Sequence, residues 1–287
     1  MKITQILKEK SSGISFEFFP PKTDSGKIKL EASIAILKEC NPLYASMTYG
    51  AGGGTQARTK EAVNILLAKK DMEIMPHLTC VGAKKNEIKV LLDEYKSQGI
   101  ENIMALRGDP PEGIPDFDFT TQDLSYGSDM VTFIKKEYGD NFCIGGAVYP
   151  EGHIESSSLE QDMRYTKKKV DAGVDFLVTQ MFFNNDYFYA LRDRMQKYSI
   201  NVPVLPGILP LINLNKLKQF ASICKATIPK EIEEAMEFYS GKPFEMGQVG
   251  IEYTIKQCRD LIKNGANKLH FFTLNKPATI KIILNSL

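Results

Sequence analysis

One pattern narrows the choice of fold more than any other. Short runs rich in β-branched and aromatic residues alternate with longer polar segments of helical period. The strand-like runs are 14–19, 43–49, 73–80, 102–107, 142–149, 176–183, 202–208 and 268–274. Helical segments follow near 25–40, 55–70, 84–98, 128–138, 158–172, 186–198, 213–223 and from 277 to the end. The main irregularity is 228–264, which should hold an extra helix before a longer one at 244–263. No stretch rich in Pro, Gly or Ser divides the chain. The pattern therefore predicts an α/β protein, a single (β/α)8 TIM barrel over residues 1–287. A doubly wound open sheet is the runner-up, but no Gly-x-Gly-x-x-Gly follows the first strand.

Composition narrows the function classes. The net charge of +1 gives no electrostatic case for nucleic acid or an anionic membrane. Cys40, Cys80, Cys143, Cys224 and Cys258 form no Cys-x-x-Cys pair, which argues against a zinc site or a disulfide framework and suits a reducing cytoplasm. The first ten residues are too polar for a signal peptide, and no apolar run reaches the ~18 residues of a membrane span.

In a barrel, function sits at the carboxyl ends of the strands. The first strand alternates Phe16 and Phe18 with Ser15, Glu17 and Phe19, and Pro20-Pro21 stops it. Glu17 thus falls in a strand expected to be buried on both faces. Desolvation among aromatic rings would raise its pKa and suit a general acid, whereas a buried Arg or Lys would make it a structural ion pair. Later strands end in Thr48-Tyr49, Pro76-His77-Leu78-Thr79, Arg107-Gly108-Asp109-Pro110-Pro111, Tyr149-Pro150-Glu151-Gly152-His153, Thr179-Gln180 and Thr273-Leu274-Asn275-Lys276. Polar residues recurring at one end of otherwise apolar strands indicate a ligand site.

Each motif has a plainer reading beside it. Gly52-Gly53-Gly54-Thr55 could cradle a phosphate or simply form a turn. Arg107 can clasp a phosphate or carboxylate bidentately, or pair with Asp109 to brace a loop. His77 and His153 are too scattered for a metal centre and can be cofactor partners or core histidines. Asp162, Tyr165 and Lys169 fall on one helix face beside Lys168, toward a ligand or toward solvent. Gln180 needs partners for both ends of its amide, from a heteroaromatic ring or from backbone. Phe182, Phe183 and Phe220 read as core.

Taken together, these motifs resemble the methylenetetrahydrofolate reductase family, in its bacterial form limited to the catalytic barrel. The residues that carry the resemblance include Ser15–Pro21, Thr48-Tyr49-Gly50-Ala51, Pro76–Cys80, Ala105–Asp109, Tyr149-Pro150-Glu151, Lys169–Gly173, Thr179-Gln180, Pro206–Pro210 and Phe272–Asn275. They run in the family's order along nearly the whole chain. The resemblance implies an FAD-binding barrel that reduces 5,10-methylenetetrahydrofolate to 5-methyltetrahydrofolate. NAD(P)H or a partner electron carrier would be the reductant, and a homo-oligomer is expected.

The resemblance also assigns roles. Glu17 matches the general acid, and Asp109 a carboxylate near both flavin and folate. Thr48, His77, Arg107, Gly108, Asp109, Tyr126, Gly127, Ala147, Tyr149, His153, Asp162, Tyr165, Lys168 and Lys169 match FAD contacts. Gln180, Phe220 and Lys276 match folate contacts. Lys276 stands where Arg occurs in the bacterial enzymes, which keeps the charge but loses the fork. Tyr165 stands where Asn also occurs. The chain has no counterpart of the eukaryotic regulatory domain, so inhibition by S-adenosylmethionine is not expected. Two alternatives remain open: an FAD/folate-binding subunit that depends on a partner protein for electrons, and a non-flavin barrel such as an aldolase or a pterin-binding methyltransferase.

Overall fold

The computed structural model describes residues 1–49, 56–69, 71–110, 113–114 and 117–287, and Gln56 by its backbone alone. The glycine-rich run Gly52-Gly53-Gly54-Thr55 and Pro111 lie outside the described residues. The barrel strands are β1 (Gly13–Phe18), β2 (Ala45–Met47), β3 (Ile74–Thr79), β4 (Asn102–Leu106), β5 (Cys143–Val148), β6 (Phe176–Thr179), β7 (Val204–Leu205), β8 (Gly207–Ile208) and β9 (Lys268–Phe272). All pair in parallel, in the order β7-β6-β5-β4-β3-β2-β1-β9-β8.

The nine segments amount to eight barrel strands, because β7 and β8 are halves of one. Pro206 stands between them and has no N–H to give the ladder. The first half bonds to β6 and the second to β9, while the Pro206 carbonyl accepts from His270 N–H at 3.0 Å. The sheet closes across this bent strand. Gly207 makes the closure possible, since a Cβ there would stand 2.3 Å from the Thr179 carbonyl oxygen.

Helices α2 (Asp24–Lys38), α3 (Gln56–Leu67), α4 (Lys85–Ser97), α5 (Gly127–Tyr138), α6 (Leu159–Asp171), α7 (Asn185–Lys197), α8 (Leu214–Cys224), α9 (Lys230–Phe238), α10 (Pro243–Lys263) and α11 (Pro277–Leu284) surround the barrel. The extra helix expected in 228–264 is α9. α2 shows how the sequence builds this layer. Thr23 Oγ1 accepts from Gly26 N–H at 3.1 Å to cap its start, and Leu30, Ile34 and Leu37 line up at i, i+4 and i+7 on its buried face. Each such side chain contributes about 1.5–3 kcal/mol by leaving water. Phe16 and Phe18 point outward from β1 into the same layer.

The opening segment differs from its sequence reading as a polar terminus. It forms a short helix, α1 (Ile3–Glu9), whose Ile3, Ile6 and Leu7 pack with Tyr44, Met75, Met104 and Phe176 in the barrel interior. Asn102 fixes it, accepting from Ile3 N–H at 2.8 Å and donating to the Met1 carbonyl at 3.1 Å. With α1 filling the lower end, the open end is the carboxyl side of the strands.

Candidate active site

A cavity of about 770 Å³ opens at that end. It is lined by Glu17 from β1, Thr48 beyond β2, His77 from β3, Arg107, Gly108 and Asp109 beyond β4, and Ala147, Tyr149 and His153 from β5 and its loop. Gln180 beyond β6 and Phe220 on α8 complete the predicted set that meets here.

Glu17 sits in the barrel wall, 7% exposed, as the burial of its strand predicts. Its neighbours were not foreseen. β1 alternation puts Ser15 and Glu17 on the inner side, and the β1–β9 register sets Ser15 opposite His270. His270 Nδ1 lies 2.8 Å from Ser15 Oγ, and its Nε2 lies 3.3 Å from Glu17 Oε2. The Tyr44 ring stacks on this imidazole at 5.6 Å. His77 Nε2 also stands 3.3 Å from Glu17 Oε2, within reach of its charge but too misaligned for a hydrogen bond. Thr273 Oγ1 donates to the Glu17 carbonyl at 2.7 Å and pins the backbone.

This arrangement reverses the expected direction of the Glu17 pKa. Burial pushes the carboxyl up, but the imidazoles of His77 and His270 outweigh it and pull the group from 4.5 down to about 2. The resting group is therefore a carboxylate at neutral pH. Any proton that it delivers must first reach it, and the imidazole hydrogen-bonded to it is that of His270. Neither a lone acid nor an Arg–Glu pair describes the site. Nothing local in the sequence singles out His270, since a single histidine inside an apolar strand reads as core.

The Thr273-Leu274-Asn275 motif proves to be a clamp. Asn275 accepts from Phe19 N–H at 3.0 Å and donates to the Phe19 carbonyl at 2.9 Å, fixing the end of β1. Leu274 and Asn275 both take left-handed backbone, with φ of 48° and 55°. Such conformations are unfavourable for leucine and persist where the surroundings impose them.

Arg107 does not brace its loop through Asp109. Nη1 and Nη2 each contact a Glu155 oxygen at 2.6 Å, and the Phe119 ring covers the guanidinium at 3.8 Å. Gly108 carries φ of +92°, and a Cβ there would meet Val81 Cγ1 at 2.4 Å, so only glycine fits. The Gln180 amide oxygen accepts from Met181 N–H at 2.9 Å, so its backbone partner and its place in the cavity wall coexist. Phe182 and Phe183 are core as expected, while Phe220 is half-buried.

The remaining predicted residues form an outer layer. Asp162 is buried behind the β5 loop and accepts from His153 N–H and Ser156 Oγ, both at 3.2 Å. Its second oxygen is buried with no hydrogen-bond partner. Lys169 donates to the Ala147 carbonyl at 2.6 Å, and burial lowers its pKa to about 8 against the opposing charge of Asp162. Tyr165 is 53% exposed, at the solvent edge of the helix face it was expected to share. Tyr126 caps α5, with Lys168 Nζ 5.8 Å from its ring, and Gly127 is the first residue of that helix. Lys276 lines a small groove beside the main cavity, together with Lys216, Phe220 and Leu274. Among the described residues no cluster has metal-ligand character, and no helix is long and apolar enough to cross a membrane.

Fold and site together define an α/β barrel whose carboxyl-end cavity holds a carboxylate between two imidazoles. The model of the methylenetetrahydrofolate reductase family matches residues 2–287, and the chain belongs to that family. The 5,10-methylenetetrahydrofolate reductase of Escherichia coli strain K12 is 35% identical over 263 residues, covering 92% of this chain and 86% of the relative. That of Buchnera aphidicola (subsp. Schizaphis graminum) is 37% identical, covering 93% and 88%. Methylenetetrahydrofolate reductase (NADH) 1 of Arabidopsis thaliana is 35% identical over 99% of this chain, which spans about half (50%) of the plant protein. Among solved structures, a Clostridium thermocellum protein that binds two copies of 5-methyl-5,6,7,8-tetrahydrofolic acid covers 100% of the chain with a TM-score of 0.66. At 14% identity, that likeness shows the barrel fold alone.

Proposed function

We propose that this chain reduces 5,10-methylenetetrahydrofolate to 5-methyltetrahydrofolate, using FAD, with Glu17 as the acid that opens the substrate ring. Family membership supports the reaction. The observation that carries the mechanism is Glu17 itself, a buried carboxylate in contact with two imidazoles in the wall of the cavity.

The residues present fit a flavin dinucleotide. Asp162 holds an unpartnered buried oxygen suited to a hydroxyl, and Lys169 offers a desolvated cation. Arg107, Thr48, His77, Tyr149 and His153 are the further contacts expected, with Tyr126, Gly127, Tyr165 and Lys168 toward the rim. When bound, FAD supplies a hydride. NADH is the expected reductant, in keeping with the name of the plant relative.

The protein's own part is acid–base and electrostatic. Glu17 takes up a proton, with the hydrogen-bonded His270 as the adjoining path, as substrate displaces water and weakens the charged form. It passes that proton to a nitrogen of the five-membered folate ring. The C–N bond to that nitrogen breaks, and the one-carbon unit becomes an iminium ready to accept hydride. The Asp109 carboxylate favours this cation, and Gln180 orients the pterin.

The test separates the half-reactions. Glu17→Gln should retain FAD and its reduction by NADH within a few-fold, while folate turnover falls by about 10²–10⁴ or more. Normal folate turnover in the variant would remove Glu17 from the acid role.

A further inference from the structure

We propose that Glu155 is a built-in stand-in for the phosphate of the bound nucleotide, held on Arg107 until that ligand displaces it. The proposal rests on the flavin reading above and assigns to Glu155 the control of phosphate entry.

The geometry is that of ligand recognition turned inward. Arg107 follows β4 and lines the cavity, and Glu155 lies in the loop between β5 and α6. Two parallel contacts of 2.6 Å use the full bidentate edge of the guanidinium. This is the edge that would bind two phosphate oxygens, and a carboxylate presents the same pair of acceptors. The pair is strong enough in place that the Arg107 hydrogen bonds hold the Glu155 pKa below its usual range.

The two partners are unequally fixed. The Arg107 side chain is 18% exposed, with Phe119 across its face and Nε donating to the Gly108 carbonyl at 3.3 Å. The Glu155 side chain is 49% exposed and can swing into water by rotamer changes alone. Arg107 would thus stay in place when Glu155 leaves. An anionic ligand must compete with the carboxylate, so its apparent affinity is reduced by the fraction of molecules in which Arg107 is free.

The experiment uses the apo-protein and Glu155→Gln, which keeps the shape and removes the charge. Stopped-flow quenching of flavin fluorescence measures loading rate and affinity for FAD and for riboflavin, which has no phosphate. Calorimetry measures inorganic pyrophosphate. For a half-exposed ion pair, Glu155→Gln should bind FAD and pyrophosphate on the order of 5-fold more tightly and load FAD correspondingly faster, with riboflavin unchanged. Unchanged or weaker binding of both phosphate probes would overturn the proposal, weaker binding making Glu155 a support that orients Arg107. If wild-type protein bound no flavin while pyrophosphate bound more tightly to the variant, the flavin reading would fail and the stand-in would survive it.

Discussion

Lys169 offers a test in which stability and binding move in opposite directions. Its side chain is partly buried with the ammonium desolvated, its Nζ donates to the Ala147 carbonyl, and burial lowers its pKa from 10.5 to about 8. Between these values the unfolded chain binds more protons than the folded one. Stability therefore rises with pH from about 8 to 10.5, and the full penalty of the buried charge is present at pH 7. A depression of this size corresponds to on the order of 3 kcal/mol. Lys169→Met removes that penalty and also loses a hydrogen bond worth about 1 kcal/mol. The flavin-free variant should gain about 1–2 kcal/mol at pH 7, a rise in Tm of about 2–4 °C for a chain of this size. Matched thermal scans of apo-protein at pH 7 and at pH 10.5 measure it, and the gain should vanish at the higher pH. Fluorescence titration at pH 7 should show FAD binding weakened about 10-fold or more, as expected for loss of a charge-assisted contact. A variant less stable than wild type at both pH values would refute the reasoning and make Lys169 a structural ion.

Two further outcomes follow from the same geometry. Gly108→Ala meets both a left-handed backbone and Val81 Cγ1 at 2.4 Å, so denaturant unfolding should show a loss of about 1–3 kcal/mol, and an unaltered midpoint would contradict the close packing. Glu17→Gln should differ from wild type in acid: the carboxylate contributes stability that is present above pH 4.5 and lost as pH falls through about 2, so the wild-type advantage should shrink across that window, and a constant difference would show that the imidazoles do not hold the carboxylate ionised.

Much of this architecture could be read in the chain because it depends on local periodicity. The alternation of runs located every barrel strand, and the polar endings of those strands located the cavity wall from Glu17 to Gln180. Local pattern could not supply what depends on contacts between distant segments. Glu17 and His270 are 253 positions apart, so the direction of the Glu17 pKa was hidden until the β1–β9 register was known. Glu155 sits in a polar loop and acquires meaning only through Arg107, 48 positions away. α1 was legible in principle, since Ile3, Ile6 and Leu7 keep helical spacing, but seven residues offer too little period to stand out against their charged neighbours.

The central claim is that FAD and folate meet beside Glu17 in this one chain. An anaerobic titration of the FAD-loaded protein with 5-methyltetrahydrofolate, followed by flavin absorbance, tests it most directly. The account predicts bleaching of the flavin band as the folate half-reaction runs in reverse, and loss of that bleaching in Glu17→Gln. A flavin band that stays oxidised in the wild-type protein would contradict it.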